Sequence, residues 1–106
     1  MRITDQFLAA QYGTYGEFLS WYGGDPKAAP RLPSVDLLGY AVFGRQDERE
    51  RRRIVERLLA DGGDPNFATR NGEDAYMLLL KRGAHEWSAG GLEWLTGRLL
   101  AAGLDV

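Results

Sequence analysis

No cysteine occurs in this chain of 106 residues. Disulfides, thiolate zinc ligands and thiol nucleophiles are therefore excluded together. There is one histidine, His85, with no second histidine and no HExxH pattern to build a metal site or a zinc hydrolase around it. No stretch of about 18 apolar residues is present to span a membrane as a helix. No run of about 7 apolar residues follows Arg2, Thr4, Asp5 and Gln6 to form a signal peptide. An excess of positive charge is missing too: 13 Lys and Arg stand against 15 Asp and Glu, a formal charge of -2, so no net field draws in nucleic acid. The reading is a soluble cytoplasmic protein of one domain, residues 1–106, large enough to bury roughly 65% of the surface its unfolded chain exposes.

What the sequence does contain is a repeat. Gly-Gly-Asp-Pro occurs at Gly23 to Pro26 and again at Gly62 to Pro65, and the related Gly103-Leu104-Asp105-Val106 follows, giving steps of 39 and 41 residues. Each stop comes after a helical pattern. Ile54, Val55, Leu58 and Leu59 share one stripe before the second, and Leu92, Leu95, Leu99 and Leu100 do so before the third. Tyr15, Phe18, Leu19 and Tyr22 make a shorter, aromatic version before the first. Gly62 and Gly103 sit where a left-handed helix cap wants a residue without Cβ, so all three helices are expected to end alike. After the first two stops come polar segments, 25–34 and 64–72, the latter with Asn71-Gly72 for a tight reversal. Asp36 and Asp74 then stand as N-caps of new helices.

These residues resemble the ankyrin repeat. Asn71-Gly72-Glu73-Asp74-Ala75-Tyr76-Met77-Leu78-Leu79-Leu80 lies on the turn and inner helix of its consensus, with Asp74 at the threonine, Ala75 at the proline and Met77 at the histidine of T-P-L-H. Ile54-Val55-Glu56-Arg57-Leu58-Leu59 and Gly62-Gly63-Asp64-Pro65-Asn66 lie on the outer helix and the stop. Asp36 to Val42 is a looser second inner helix, and Phe7 to Ala10 with Phe18-Leu19 looks like a capping unit. The resemblance implies an all-α, ankyrin-like solenoid of stacked helix-turn-helix repeats with hairpin loops, in units of roughly 1–26, 27–65 and 66–106. The period exceeds the usual ankyrin value of about 33. The surplus is placed in lengthened helix–helix loops, at 44–53 and 81–91.

Candidate chemistry is thin. Six arginines fall between 45 and 57, interleaved with Asp47, Glu48, Glu50 and Glu56. The simplest account is a solvated helix with (i, i+4) pairs such as Asp47 with Arg51, and Arg53 with Arg57 as a like-charge exception. Nucleic-acid binding by this cluster ranks low, because the acids dilute it. Gly62-Gly63 and Gly90-Gly91 follow no strand and lack GxxxxGK[ST], so they are not phosphate loops. Ser20, Ser34 and Ser88 have no GxSxG context. No enzyme, cofactor or metal site is expected. Of the aromatics, Tyr12, Tyr15, Phe18, Trp21 and Tyr22 crowd the first unit and Trp87 and Trp94 the last; most are read as core, with one or two left as binding anchors.

Ankyrin-like stacks present hairpin tips and the inner-helix face to a partner. Carried over residue by residue, that gives Lys27, Arg31, Phe67, Thr69, Arg70 and Glu73 from the hairpins, with Lys81 and Arg82 from the end of the inner helix. Phe67 stands out as an apolar residue at a tip, its alternative being a staple between neighbouring hairpins. The basic members point to an acidic partner surface. The resemblance implies a monomeric bacterial module that binds and blocks another protein, a secreted toxin in the immunity-protein case. The alternatives are an adaptor or a unit of a longer array and, last, a nucleic-acid binder.

Overall fold

A computed structural model describes residues 2–29, 36–67 and 75–105. Within them lie six helices: α1 (Gln6–Tyr12), α2 (Tyr15–Trp21), α3 (Leu37–Val42), α4 (Glu48–Ala60), α5 (Ala75–Glu86) and α6 (Ala89–Ala101), with no strand among the described residues. The protein is all-α. The helices form three consecutive pairs, and within each pair the two helices touch. Between the first two pairs, α1 packs on α3 and α2 on α4, so first helix lies on first helix and second on second.

Local signals account for most of the helix starts. Asp5, Thr14, Asp36 and Ser88 each offer a side-chain oxygen to a free backbone N–H of the first turn, which satisfies donors the helix itself cannot. Thr14 and Glu17 complete a reciprocal capping box on α2. The expected cap at Asp36 is present: Oδ1 accepts from Gly39 N–H at 3.1 Å. Asp74 and the Asn71-Gly72 turn lie outside the described residues.

The ends are less uniform than the repeat suggests. After α4, Gly62 takes φ 95°, its N–H donates to Leu59 O at 3.1 Å, and the Gly63 N–H reaches back to Leu58 O at 2.8 Å. After α6, Gly103 takes φ 109°, with Gly103 N–H on Leu100 O and Leu104 N–H on Leu99 O. Both are Schellman caps, whose positive φ glycine adopts without a Cβ clash. The first stop differs. α2 leaves its helix at Tyr22 in an extended conformation, and the positive φ falls on Gly24 instead. Tyr22 is turned to other work, stacking on Phe18 at 4.8 Å and donating its hydroxyl to Asp61 at 2.8 Å.

The expected long loops are not there. Only residues 43–47 separate α3 from α4, and only Trp87 and Ser88 separate α5 from α6. The surplus residues lengthen the helices, to 13 in α4, 12 in α5 and 13 in α6. Gly83, read as a loop glycine, is instead buried inside α5, where an added Cβ would stand 2.7 Å from Leu92 Cδ1. It lets α6 approach α5 closely.

One core runs through all three pairs, from Ala9, Ala10 and Phe18 through Leu37, Leu38, Ile54, Val55 and Leu58 to Leu79, Leu95 and Leu99. The third pair is tied to the second by polar contacts as well. The Trp87 indole N–H donates to Val42 O at 2.7 Å. Glu48 accepts from the Ser88 N–H at 2.7 Å and from its hydroxyl at 2.9 Å, so a carboxylate sits at the N-terminus of α6, where the helix dipole favours it. A Cβ on Gly91 would come within 2.5 Å of that carboxylate, so glycine there keeps the approach open. The Asn66 amide spans the last two stops, donating to Gly103 O at 3.0 Å and accepting from Asp105 N–H at 2.7 Å.

Leu58 is fully buried, and Leu58→Ala is expected to cost about 2–5 kcal/mol in a urea melt, unchanged stability being the result that contradicts this packing. Acid should also loosen the third pair. The Ser88 N–H, first among its causes, holds the Glu48 carboxyl below its ordinary value of 4.5. A depressed carboxyl contributes stability that is complete above the unfolded value and lost as pH falls through the folded one. The urea midpoint should therefore drop below about pH 4.5, and Glu48→Gln should flatten that drop while lowering the midpoint at neutral pH.

Candidate protein-binding surface

The arginine run is solvated in part, as expected: Arg49, Arg53 and Arg57 are exposed, and Arg52–Glu48 and Arg57–Asp61 are (i, i+4) pairs, but Arg51 departs from the pattern. Arg51 is buried, with 5% of its surface exposed. It donates through Nη1 to Gly44 O at 2.8 Å and through Nη2 to Glu86 O, and it lies 4.7 Å from the centroid of the Trp87 ring. Arg52 lies over Trp94 at 4.9 Å, Arg53 over Tyr15 at 4.5 Å and Arg57 over Tyr22 at 5.7 Å. α4 thus extends two arginines to aromatic rings of the third pair and two to rings of the first. Each contact contributes about 0.5–1 kcal/mol where exposed and about 2 where desolvated.

The expected Asp47–Arg51 pair is replaced. Asp47 caps α4 through the Arg49 N–H at 2.8 Å, and Arg51 has Glu48 as its acid at 3.9 Å. Arg53 and Arg57 avoid each other by engaging separate rings and separate acids, Glu50 at 3.9 Å and Asp61 at 3.0 Å. Arg51 is thus committed to the interior, while Arg52, Arg53 and Arg57 combine a ring contact with a nearby acid at the surface.

Phe67 is also inside. It is 3% exposed and meets Phe43 edge-on at 6.1 Å, so it is a packing residue, as its alternative reading had it, rather than an exposed tip. Arg31, Thr69, Arg70 and Glu73 lie outside the described residues. Lys27 is exposed, its backbone N–H donating to Asp25 at 3.0 Å in a local turn. Lys81 and Arg82 are exposed on α5.

Of the expected site residues, Arg82 lines a pocket. It leans over the Phe43 ring at 5.3 Å and pairs with Glu86 at 3.6 Å. With Gln11, Gly39, Tyr40, Phe43, Arg45 and Leu78 it lines a cavity of about 140 Å³ where α1, α3 and α5 meet. The Arg45 N–H donates to Gln11 O at 2.7 Å, and the Gln46 amide donates to Ala10 O and Gly13 O at 2.8 and 3.1 Å. The loop 43–47 is thereby pinned against the end of α1. Tyr12 and Met77, next in sequence to the lining residues Gln11 and Leu78, are exposed apolar side chains. Arg45 was hidden in the sequence because it opens the arginine run. The signal that separates it is Asp47, the N-cap, which leaves Arg45 in the loop before the helix.

Among the described residues no cluster of His, Asp and Glu could hold a metal ion. His85 is exposed on α5. No helix among them is long and apolar enough to cross a membrane. No protein-family model matches the chain, and no curated protein or solved structure matches it either.

The four arginine–ring contacts of α4 should be unequal in thermal melts. Arg51→Met strands two carbonyls in the interior and should cost about 2–4 kcal/mol. Arg53→Ala, at the surface, should cost less than about 1 kcal/mol. Equal costs would show that burial does not set the ranking.

Proposed function

We propose that this chain is a protein-binding module of ankyrin-like architecture that acts by covering a surface of another protein. The observation that carries this reading is the composition of the exposed side of the first helices. Arg82 lines a small aromatic pocket at the edge of the core, and the exposed Tyr12, Met77 and Lys81 are next in sequence to its lining residues Gln11, Leu78 and Arg82. Tyrosine, methionine and arginine are favoured at interfaces, and lysine beside them adds charge that speeds encounter with an acidic partner. Blocking of a toxin by a bacterial immunity protein is the particular form that the ankyrin resemblance suggests.

A second reading has its own support. Leu80 on α5 and Leu100 on α6 are 69% and 46% exposed, off the buried sides of their helices, as an adaptor or array unit covered by another helical unit would require. One experiment separates the two. Affinity purification from the native cell should recover a single stoichiometric partner. Tyr12→Asp with Met77→Asp should weaken its capture by more than about tenfold, while Leu80→Lys with Leu100→Lys leaves it intact. The reverse pattern favours the adaptor. Recovery of abundant housekeeping proteins alone, together with no rescue of growth when a neighbouring toxin-like gene is co-expressed, would sink the blocking role.

A further inference from the structure

We propose that the pocket bounded by Gln11, Tyr40, Phe43, Arg45, Leu78 and Arg82 receives one carboxylate side chain, preferably glutamate, from an exposed segment of a protein partner; the inference rests on the protein-binding reading above. The size of the pocket sets the scale. Sites for metabolites and cofactors run to about 300–1,000 Å³, whereas this one is about 140 Å³, room for a single side chain.

The chemistry of the walls sets the type. Tyr40, Phe43 and Leu78 supply an apolar lining, and Arg45 and Arg82 supply two guanidinium groups, in a chain whose overall charge is -2. Arg82 already has an acid, Glu86. Arg45 has no ion-pair partner among the described residues, and its backbone is held in place by Gln11. An unpaired guanidinium on a backbone held beside an apolar cavity fits a carboxylate carried on methylenes, which cover the rings while the oxygens meet the arginines. A free phosphate has no apolar surface to match those walls. A neutral side chain leaves Arg45 unpaired.

The pocket also draws on all three helix pairs, through Gln11 of α1, Tyr40 of α3 and Leu78 and Arg82 of α5. A ligand there contacts every pair at once, so its binding reports on their arrangement.

The test is a titration of the ¹⁵N-labelled chain, followed by amide chemical shifts, with N-acetyl-glutamate amide, N-acetyl-glutamine amide and inorganic phosphate. Saturable shifts are expected at Gln11, Gly39, Tyr40 and Arg45 with the glutamate probe, and binding weaker by at least roughly fivefold with the other two. Arg45→Gln should weaken glutamate binding about tenfold with an unchanged melting temperature. Equal response to the glutamine probe overturns the proposal in favour of an apolar pocket, tighter binding of phosphate overturns it in favour of a small-anion site, and absence of shifts at these residues overturns it outright. Partner capture separates this inference from the reading beneath it. If the wild-type chain captures a partner and Arg45→Gln leaves that affinity unchanged, the pocket assignment fails and the protein-binding reading stands. If the wild-type chain captures none, that reading fails alone, and the titration still decides the pocket.

Discussion

The first two turns of α4 hold the third helix pair to the rest. α5 and α6 are joined by Trp87 and Ser88 alone, so a C-terminal helix end, with its unpaired carbonyls, and an N-terminal end, with its unpaired N–H groups, lie side by side. α4 meets both with opposite charges one turn apart. Arg51 donates to Glu86 O and covers the Trp87 ring, and Glu48 accepts from Ser88. The orphan groups of the two helix ends are satisfied by the charges their dipoles favour, and the Trp87 N–H closes the junction on Val42 O.

The same helix faces the first pair in a different way. Arg53 and Arg57 lie on Tyr15 and Tyr22, and Asp61 receives both the Tyr22 hydroxyl and the Arg57 Nε–H. α2 has only 7 residues, too few to be stable alone, and its aromatic side chains make up the contact that its length does not. Central position thus turns a charged helix into the common support of both its neighbours. The pocket where α1, α3 and α5 meet is lined by none of the α4 residues.

Some of this could be read from residues alone. The all-α class, the glycine caps at Gly62 and Gly103, the N-cap at Asp36 and the burial of Leu58 follow from rules that act within one turn of helix, so spacing and residue type suffice. The connections were misjudged for a definite reason. Gly83 and the charged run from Asp47 look like loop by composition, but the glycine answers to a neighbour, Leu92, that is distant in conformation though near in sequence. Arg51 and Phe67 failed similarly: a charge reads as solvated and a hairpin aromatic as exposed until Trp87, Glu86 and Phe43 are brought against them.

By itself the sequence determined where α3 begins, where α4 and α6 stop and which stripes of the helices are apolar, since caps, glycine φ and 3.6-residue periodicity are local properties. The tertiary structure alone decided that Arg51 is buried between two helix ends while Arg45 of the same run is exposed at the edge of a pocket. A guanidinium has the same chemistry at every position of 45–57, and its role is set by whether a ring, a carbonyl or open solvent stands across from it after the pairs have packed.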